Sequence, residues 1–376
     1  MAGDAGATPQ DGPTVAADLG PGVVAEFDAG DMLGAIAGLP RQLTAGHAVA
    51  RERLAAAFEG AGSAAPPARP TGVAVFGMGG SAIGADLVLA ATSLGVPAAV
   101  VRGYDVPAWI GPQTLVIAAS YSGETEETLA CTALALERGC APVCVASGGA
   151  LAAQASERGL PLVTIPGGGQ PRASVGYLAM SILAALSAAG LTPPADADVA
   201  EAAELLRAGN TECGPDVTGP ANEAKALAVR LHRRQAVVYG AGLTVPAARR
   251  WKGQINENAK APAFWNELPE LNHNELMGWT SLPHVAAASL AVFLEDAQSD
   301  ERLRRRAALT GGELEARGVD CAHVATRGSS RLARLFSLVQ LGDYASFYLA
   351  LLYGVDPTPV GAIQDFKAKL AGGAGG

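Results

Sequence analysis

VAVFGMGGSAIG, residues 73–84, is the stretch that decides the fold class of this chain. A short β-branched run ends in glycines and leads into an apolar segment with helical spacing, which predicts a strand, a tight turn and a helix. A second stretch, AVVYGAGLTVPA at residues 236–247, repeats this order in the other half of the chain. Two strand–glycine–helix units indicate two α/β domains related by internal duplication.

The segments around these two units alternate between predicted strands and helices. Further strands are predicted at 98–101, 115–119, 141–146, 162–165, 289–294 and 322–325, and helices at 24–59, 81–92, 125–138 and 330–353. Each apolar run is continuous rather than alternating, as in parallel sheets covered on both faces. We therefore predict two doubly wound parallel-sheet domains, with a flexible leader at 1–25, an N-terminal domain with leading helices at 26–205 and a C-terminal domain at 206–376.

Composition and charge exclude several classes of protein. The 376 residues carry 27 Lys and Arg against 36 Asp and Glu, a net charge of −9, which disfavours nucleic-acid and anionic-membrane partners. The sequence begins without a signal-peptide pattern and contains no charge-free run of about 18 apolar residues. Its five cysteines have neither disulfide-framework nor zinc spacing, so we expect reduced thiols, a cytoplasmic protein and no metal.

The first glycine turn departs from the dinucleotide fingerprint. That fingerprint requires glycine at position 82 and an acidic residue after the second strand, where this chain has Ala82 and Arg102. The turn still has the physics of an anion site, because glycines let backbone N–H groups approach a ligand at a helix N-terminus. The alternative is a turn whose glycines serve tight packing alone.

The loop SYSGETEET, residues 120–128, follows the third predicted strand and opens a helix. Ser120, Ser122 and Thr125 place three hydroxyls at that helix start. Together with Gly80 and Ser81 of the first turn, they predict a phosphate-binding site without a metal-binding acid or a Walker lysine. The alternative is an N-cap with a capping box, which would use one of the hydroxyls.

Several motifs resemble known proteins. GMGGSAIG followed by SYSGETEETL is similar to the sugar-isomerase (SIS) domain, a doubly wound module that binds sugar phosphates. More specific stretches are PRAS at 171–174, YGAG at 239–242, WKGQINENAKAPAF at 251–264, ELNHNE at 270–275 and DPTP at 356–359. From about residue 70 to its end, the chain resembles the bifunctional phosphoglucose/phosphomannose isomerase family.

The resemblance implies a metal-independent, cofactor-free isomerase that interconverts mannose 6-phosphate and/or glucose 6-phosphate with fructose 6-phosphate through a cis-enediolate. Glu257 matches the family's base, Arg172 the cation beside C1 and C2, and His273 the residue that opens the sugar ring. Lys367 matches a lysine that assists ring opening, with Lys369 as a competing position. The family's histidine comes from the neighbouring subunit, which implies a homodimer with composite active sites.

Each of these residues also has an ordinary structural interpretation. Glu257 would otherwise be a surface helix glutamate, His273 a hydrogen-bonded turn residue and Arg172 a solvated loop arginine. Glu124 stands where family members often have asparagine, and we expect it to face solvent because a carboxylate would repel phosphate. Thr358 is the nearest candidate for the threonine linked to tolerance of both C2 epimers, so the preference for glucose or mannose stays open.

Three other functions compete with the isomerase interpretation. A non-catalytic, regulatory SIS protein would need the hydroxyl loop but not Glu257, His273 and Arg172. The isomerase half of an amidotransferase would follow a glutaminase with a cysteine near residue 2, where this chain has Ala2. A metal-dependent phosphomannose isomerase requires a His/Glu cluster on a β-rich scaffold, which the α/β pattern excludes.

Overall fold

The chain forms two parallel β-sheets surrounded by helices. The computed structural model describes residues 19–59, 66–67 and 69–373, with only the backbone for 59 and 371–373. The strands are β1 (Gly72–Phe76), β2 (Ala98–Val101), β3 (Thr114–Ala119), β4 (Val143–Ala146), β5 (Leu162–Thr164), β6 (Gln235–Ala241), β7 (Ala263–Leu268), β8 (Ser289–Glu295) and β9 (Asp320–Ala325).

Helices cover both faces of these sheets. They are α1 (Pro21–Phe27), α2 (Met32–Ala37), α3 (Leu39–Glu59), α4 (Gly79–Ala91), α5 (Glu126–Glu137), α6 (Gly149–Glu157), α7 (Val175–Ala188), α8 (Asp196–Glu212), α9 (Glu223–Leu231), α10 (Val245–Asn258), α11 (Glu275–Gly278), α12 (Pro283–Ala287), α13 (Glu301–Glu315), α14 (Arg331–Leu352) and α15 (Gly361–Gly373). Short 3-10 helices lie at Pro171–Ala173, Gly219–Ala221, Gly242–Thr244 and Glu270–His273.

The first sheet has the strand order β2-β1-β3-β4-β5, and all its strands are parallel. β1, β3 and β4 are buried along their whole length, which is why their sequences are continuous apolar runs. The chain leaves β1 towards one edge of the sheet and leaves β3 towards the other. The carboxyl ends of β1 and β3 therefore flank the crevice where doubly wound sheets bind their ligands.

The second sheet, with the order β7-β6-β8-β9, is built in the same way and is also wholly parallel. β6 and α10 stand in it as β1 and α4 stand in the first sheet. The predicted fold class, two doubly wound parallel sheets, is therefore confirmed.

Helix α14 lies at the centre of the molecule, where it packs against α8, α9 and α10. Within the described ranges, it is the one helix long and apolar enough to cross a membrane, but 83% of that apolar stretch is buried inside the fold. This burial accounts for its apolar sequence as that of a core helix.

Strand β7 is the one described strand that was not predicted from the sequence. Its sequence, AFWNEL, contains polar residues, and four of its six side chains are only partly buried or exposed because it lies at the edge of the second sheet. An edge strand needs no continuous apolar run, so the pattern that predicts the central strands does not detect it.

The predicted domain boundaries fall within helices. Residues 1–18 of the predicted leader lie outside the described residues, whereas Leu19 is buried and α1 begins at Pro21. The boundary between 205 and 206 falls within α8, which packs against α3 on one side and α14 on the other. The division at these positions stays a prediction.

Candidate active site

The glycine turn after β1 and the hydroxyl loop after β3 meet at the crevice of the first sheet. Ser81 is buried in the first turn of α4, and its hydroxyl oxygen accepts a hydrogen bond from the backbone N–H of Tyr121 (3.3 Å). Ser120 is buried too, and its hydroxyl lies 2.8 Å from that of Thr125. The structure thus brings together hydroxyls from two loops that are 40 residues apart in sequence.

The capping alternative for this loop is not realised. Thr125 is the N-cap residue of α5, but its side chain accepts no hydrogen bond from the helix. The Ser122 side chain accepts instead from the N–H of Glu124 (3.2 Å), outside the helix. The first backbone N–H groups of α5 therefore have no side-chain cap, and such groups beside hydroxyls form a favourable phosphate site.

The turn between Ser122 and Glu124 requires a glycine. Gly123 has a φ of +74°, and a Cβ at this position would lie 1.9 Å from the carbonyl oxygen of Gly148. Glu124 is exposed, as predicted, and its carboxylate accepts a hydrogen bond from the N–H of Ala150 at the start of α6 (2.9 Å). Its charge is thus directed towards another helix N-terminus rather than into the hydroxyl loop.

The loop after β5 carries Arg172 to the same crevice. Its 3-10 helix, Pro171–Ala173, lies directly against the first glycine turn. A Cβ on Gly80 would be 2.9 Å from the carbonyl oxygen of Pro171 and 3.5 Å from the Cα of Arg172. This close approach explains the glycine at position 80 and places the backbone of Arg172 against the first glycine turn.

Arg172 is a buried residue with its guanidinium in a cradle of oxygen acceptors. It is 4% exposed and donates hydrogen bonds to the carbonyl oxygens of Pro357 (2.7 Å) and Thr358 (2.9 Å) and to Oδ1 of Asn258 (2.7 Å). Burial lowers the pKa of this guanidinium, while the nearby Glu257 carboxylate acts in the opposite direction. Arg172 is therefore not a solvated loop arginine.

Glu257 reaches Arg172 from the last turn of α10. Its Oε2 lies 3.5 Å from Nη1 of Arg172, and its side chain is 35% exposed. The next residue, Asn258, is fully buried and donates from Nδ2 to the hydroxyl of Ser346 (3.0 Å). A partly accessible carboxylate and a fixed cation thus lie side by side, a pairing suited to proton transfer at a carbon next to a carbonyl.

The buried ion pair between Arg250 and Asp343 supports this arrangement. Arg250 donates to both carboxylate oxygens of Asp343 (2.9 and 2.6 Å) and to the carbonyl oxygen of Arg172 (2.9 Å). Gln254 donates to the same carboxylate (2.8 Å). This network was not predicted from the sequence. Its signal is the spacing of four between 250, 254 and 258, which places three polar side chains on one face of α10.

Lys260 is a second cation that the sequence analysis did not consider. It follows α10 directly, and its Nζ donates to the carbonyl oxygens of Glu257 (2.6 Å) and Pro357 (2.9 Å). Partial burial and the nearby charge of Arg172 lower the pKa of Lys260 to about 8.

His273 lies apart from Glu257 within one chain. Glu257 precedes β7, whereas His273 follows it, so the six residues of the strand, about 20 Å in length, separate them. The side chain of His273 is exposed and forms no hydrogen bond or ion pair with any described residue, whereas its backbone lies in the 3-10 turn Glu270–His273. Its neighbours are fixed: Asn272 donates to Thr310 (2.8 Å), and Glu275 accepts from the Tyr239 hydroxyl (2.5 Å).

Lys367 is likewise not in contact with the other predicted site residues. It lies on α15, which is exposed at every position from 361 to 370. Neither Lys367 nor Lys369 forms an ion pair with the part of the chain that the structure describes. Their places in a site stay predictions.

The described charged side chains of the site do not form a cluster of metal ligands. In the described ranges, no group of three or more His, Cys, Asp or Glu residues is placed to hold a metal ion.

This fold and this crevice define a protein of the SIS class, with hydroxyls, helix N–H groups and a cation at the switch point of a doubly wound sheet. A family model described as the bacterial phosphoglucose isomerase C-terminal SIS domain matches residues 220–370. A solved structure of a hypothetical protein from Thermus thermophilus has the same fold, with a TM-score of 0.72 at 19% identity over 94% of this chain and 93% of that one.

Two curated relatives identify the family. The bifunctional phosphoglucose/phosphomannose isomerase of Caldicellulosiruptor bescii is 40% identical over 80% of this chain and 89% of that protein. The protein of the same name from Aquifex aeolicus is 37% identical over 80% of this chain and 90% of its own length. The chain belongs to the bifunctional phosphoglucose/phosphomannose isomerase family, which confirms the resemblance seen in its motifs.

Proposed function

We propose that this chain is a metal-independent aldose–ketose isomerase that interconverts glucose 6-phosphate, mannose 6-phosphate or both with fructose 6-phosphate. The observation that carries the proposal is the 3.5 Å contact between the partly exposed Glu257 carboxylate and the buried Arg172 guanidinium. This pair lies against the glycine turn. Together with the hydroxyl loop, that turn forms a crevice suited to phosphate binding.

The reaction follows from the roles these groups can take. Ser81, Ser120, Ser122 and Thr125 and the N–H groups of α5 bind the phosphate. Glu257 removes the proton from C2 of the open-chain aldose, and the C–H electrons form the cis-enediolate, with negative charge developing on O1. Glu257 returns the proton to C1 while a proton passes from O2 to O1, which gives the ketose. Arg172 stabilises the enediolate oxygen, a kind of charge stabilisation worth about 2.7–4 kcal/mol in other enzymes.

Ring opening is assigned to His273 of a second copy of the chain. The separation of about 20 Å along β7 keeps His273 from the Glu257 of its own chain. The segment after it exposes Met277 (72%) and Leu282 (52%), apolar side chains that a subunit interface would cover. These features support a homodimer with two composite active sites.

The same dimer would bring Lys367 to an active site. Helix α15 exposes Ile363, Phe366 and Leu370, whose spacing of three and four puts them on one helix face. We assign this face to the second copy, where α15 would bring Lys367 to a composite site and assist ring opening.

The proposed location is the cytoplasm. All five cysteines are free and buried, and burial raises the pKa of the Cys144 thiol to about 12. Thiols in this state are inert and suit a reducing compartment.

The test is a coupled assay in which glucose 6-phosphate and mannose 6-phosphate are converted in parallel, with a metal chelator present. Activity on either sugar that survives chelation and falls by about 10²–10⁴ in Glu257→Gln would support the proposal, and the two rates would give the epimer preference. Glu204→Gln is the matched control, because among the described residues this exposed glutamate pairs only with Arg207 on its own helix.

The alternative, a non-catalytic sugar-phosphate binder, has its own outcome. The wild-type protein would then show no activity on either sugar, while fructose 6-phosphate would still raise its melting temperature. That result would overturn the roles given to Glu257, His273 and Arg172.

Subunit complementation tests the composite site. Glu257→Gln and His273→Ala are each inactive as homodimers, but a mixed dimer contains one intact site if the two residues come from different chains. Unfolding and refolding a one-to-one mixture would then restore about a quarter of wild-type activity, since half the dimers are mixed and each has one working site. If both residues act within one chain, mixing restores no activity.

A further inference from the structure

We infer that Lys260 is a positioning residue. By joining the end of α10 to the segment 356–358, it keeps the Glu257 carboxylate and the Arg172 guanidinium at a fixed separation. The inference rests on the proposed function, since it assigns Lys260 a part in the same reaction.

The first observation is how α10 ends. The last helical residue is Asn258, and Lys260 takes the left-handed conformation with a φ of +56°. Its side chain folds back, and the ammonium donates to the carbonyl oxygen of Glu257 (2.6 Å). A lysine in this position satisfies a helix carbonyl that has no partner within the helix and offsets the negative end of the helix dipole. The carboxylate of Glu257 projects from this same turn.

The second observation is a carbonyl shared by two cations. Lys260 donates to the oxygen of Pro357 (2.9 Å), and Arg172 donates to the same oxygen (2.7 Å). The backbone of Glu257 and the cradle of Arg172 are thus connected through one ammonium group. A shift of the segment 356–358 would change the 3.5 Å separation between the carboxylate and the guanidinium.

The third observation is that Lys260 carries two costs at this position. A left-handed conformation costs a residue with a side chain about 1–2 kcal/mol, and glycine would adopt it without that cost. The cation is also disfavoured, because partial burial and the charge of Arg172 lower the pKa of Lys260, while Asp356 and Glu257 act in the opposite direction. The hydrogen bonds of the ammonium to the carbonyl oxygens of Glu257 and Pro357 offset these costs and hold the end of α10 to the segment 356–358.

The direction of the pH effect follows. With a pKa of about 8, Lys260 loses its charge as the pH rises through that value, and the neutral amine is the weaker donor to the two carbonyls. Because kcat/KM reports the free enzyme, the wild-type profile should fall above about pH 8.

The experiment compares Lys260→Met, Lys260→Arg and Lys260→Gly with a control, Lys252→Met. Lys252 lies on α10, and its side chain forms no hydrogen bond or ion pair with the described residues. We expect kcat to fall by about 10² in Lys260→Met and Lys260→Gly, as for misplacement of a reacting group, while the KM for fructose 6-phosphate changes less than about threefold. Lys260→Gly should unfold at the same temperature as wild type or higher, and Lys252→Met should match wild type throughout.

Lys260→Arg supplies the readout that a purely structural role would not change. A guanidinium keeps its charge across the whole range, so this variant should recover part of kcat and lose the fall above about pH 8. Wild-type kcat in both Lys260→Met and Lys260→Gly, or the same alkaline fall in all variants, would overturn the inference. If the wild-type protein itself were inactive on both sugars, the proposed function would fail instead, so the two failures are distinguishable.

Discussion

Arg172 offers the sharpest test of how the two halves of the chain build one site. We consider Arg172→Met, which removes the guanidinium but keeps an unbranched side chain, and Arg172→Lys, which keeps the charge. Arg249→Met serves as the control, because Arg249 is partly exposed and ion-pairs with Asp86 (3.1 Å) away from Glu257.

The expected loss has a catalytic and a structural component. In the proposed reaction, Arg172 stabilises the enediolate, so Arg172→Met should lower kcat/KM by about 10²–10³. The variant also removes the donor to Asn258 Oδ1 and to the carbonyl oxygen of Thr358, whereas the carbonyl oxygen of Pro357 keeps its hydrogen bond from Lys260. Each unpaired buried group costs about 1–3 kcal/mol. Water can enter beside the partly exposed Glu257, so we expect the lower end, a total of about 2 kcal/mol.

Arg172→Lys separates charge from geometry. An ammonium cannot reproduce the planar fork that donates in three directions, so this variant should recover at most about tenfold of the lost activity. The assays are steady-state kinetics with fructose 6-phosphate and chemical unfolding of each variant. The control, Arg249→Met, should lose less than about 1 kcal/mol of stability. The reasoning would be refuted if Arg172→Met kept kcat/KM within about threefold of wild type at unchanged stability.

Two further substitutions test the surroundings of the site. Asp343→Asn should lower the free energy of unfolding by about 3–5 kcal/mol, since it leaves the buried Arg250 cation without its partner; a loss below about 1 kcal/mol in chemical denaturation would contradict this. Gly123→Ala should weaken fructose 6-phosphate binding by about tenfold in calorimetry, because the new Cβ displaces the carbonyl of Gly148 and strains the phosphate loop. Unchanged affinity with an unchanged circular dichroism spectrum would argue against phosphate binding at this loop.

The sequence by itself determined the class of fold and the composition of the crevice. Continuous apolar runs predicted the central strands, because a parallel sheet covered on both faces buries every side chain of such a strand. The glycine turn at 77–80 and the hydroxyls of Ser120 and Thr125 each follow such a strand, and the carboxyl ends of parallel strands share one edge. Strand β7 escaped prediction because an edge strand carries no such run.

The motifs also predicted Glu257 and Arg172 as site residues, but only the tertiary structure brought these two residues together. Their contact joins the end of α10 to the loop after β5, 85 residues away in sequence, and depends on which helix faces pack in the core. The same packing decided that Lys260 and the segment 356–358 complete the cradle, and that His273 lies at the far end of β7. Local sequence sets the elements and their turns, whereas contacts between distant elements depend on the packing of the whole chain, which no short stretch encodes.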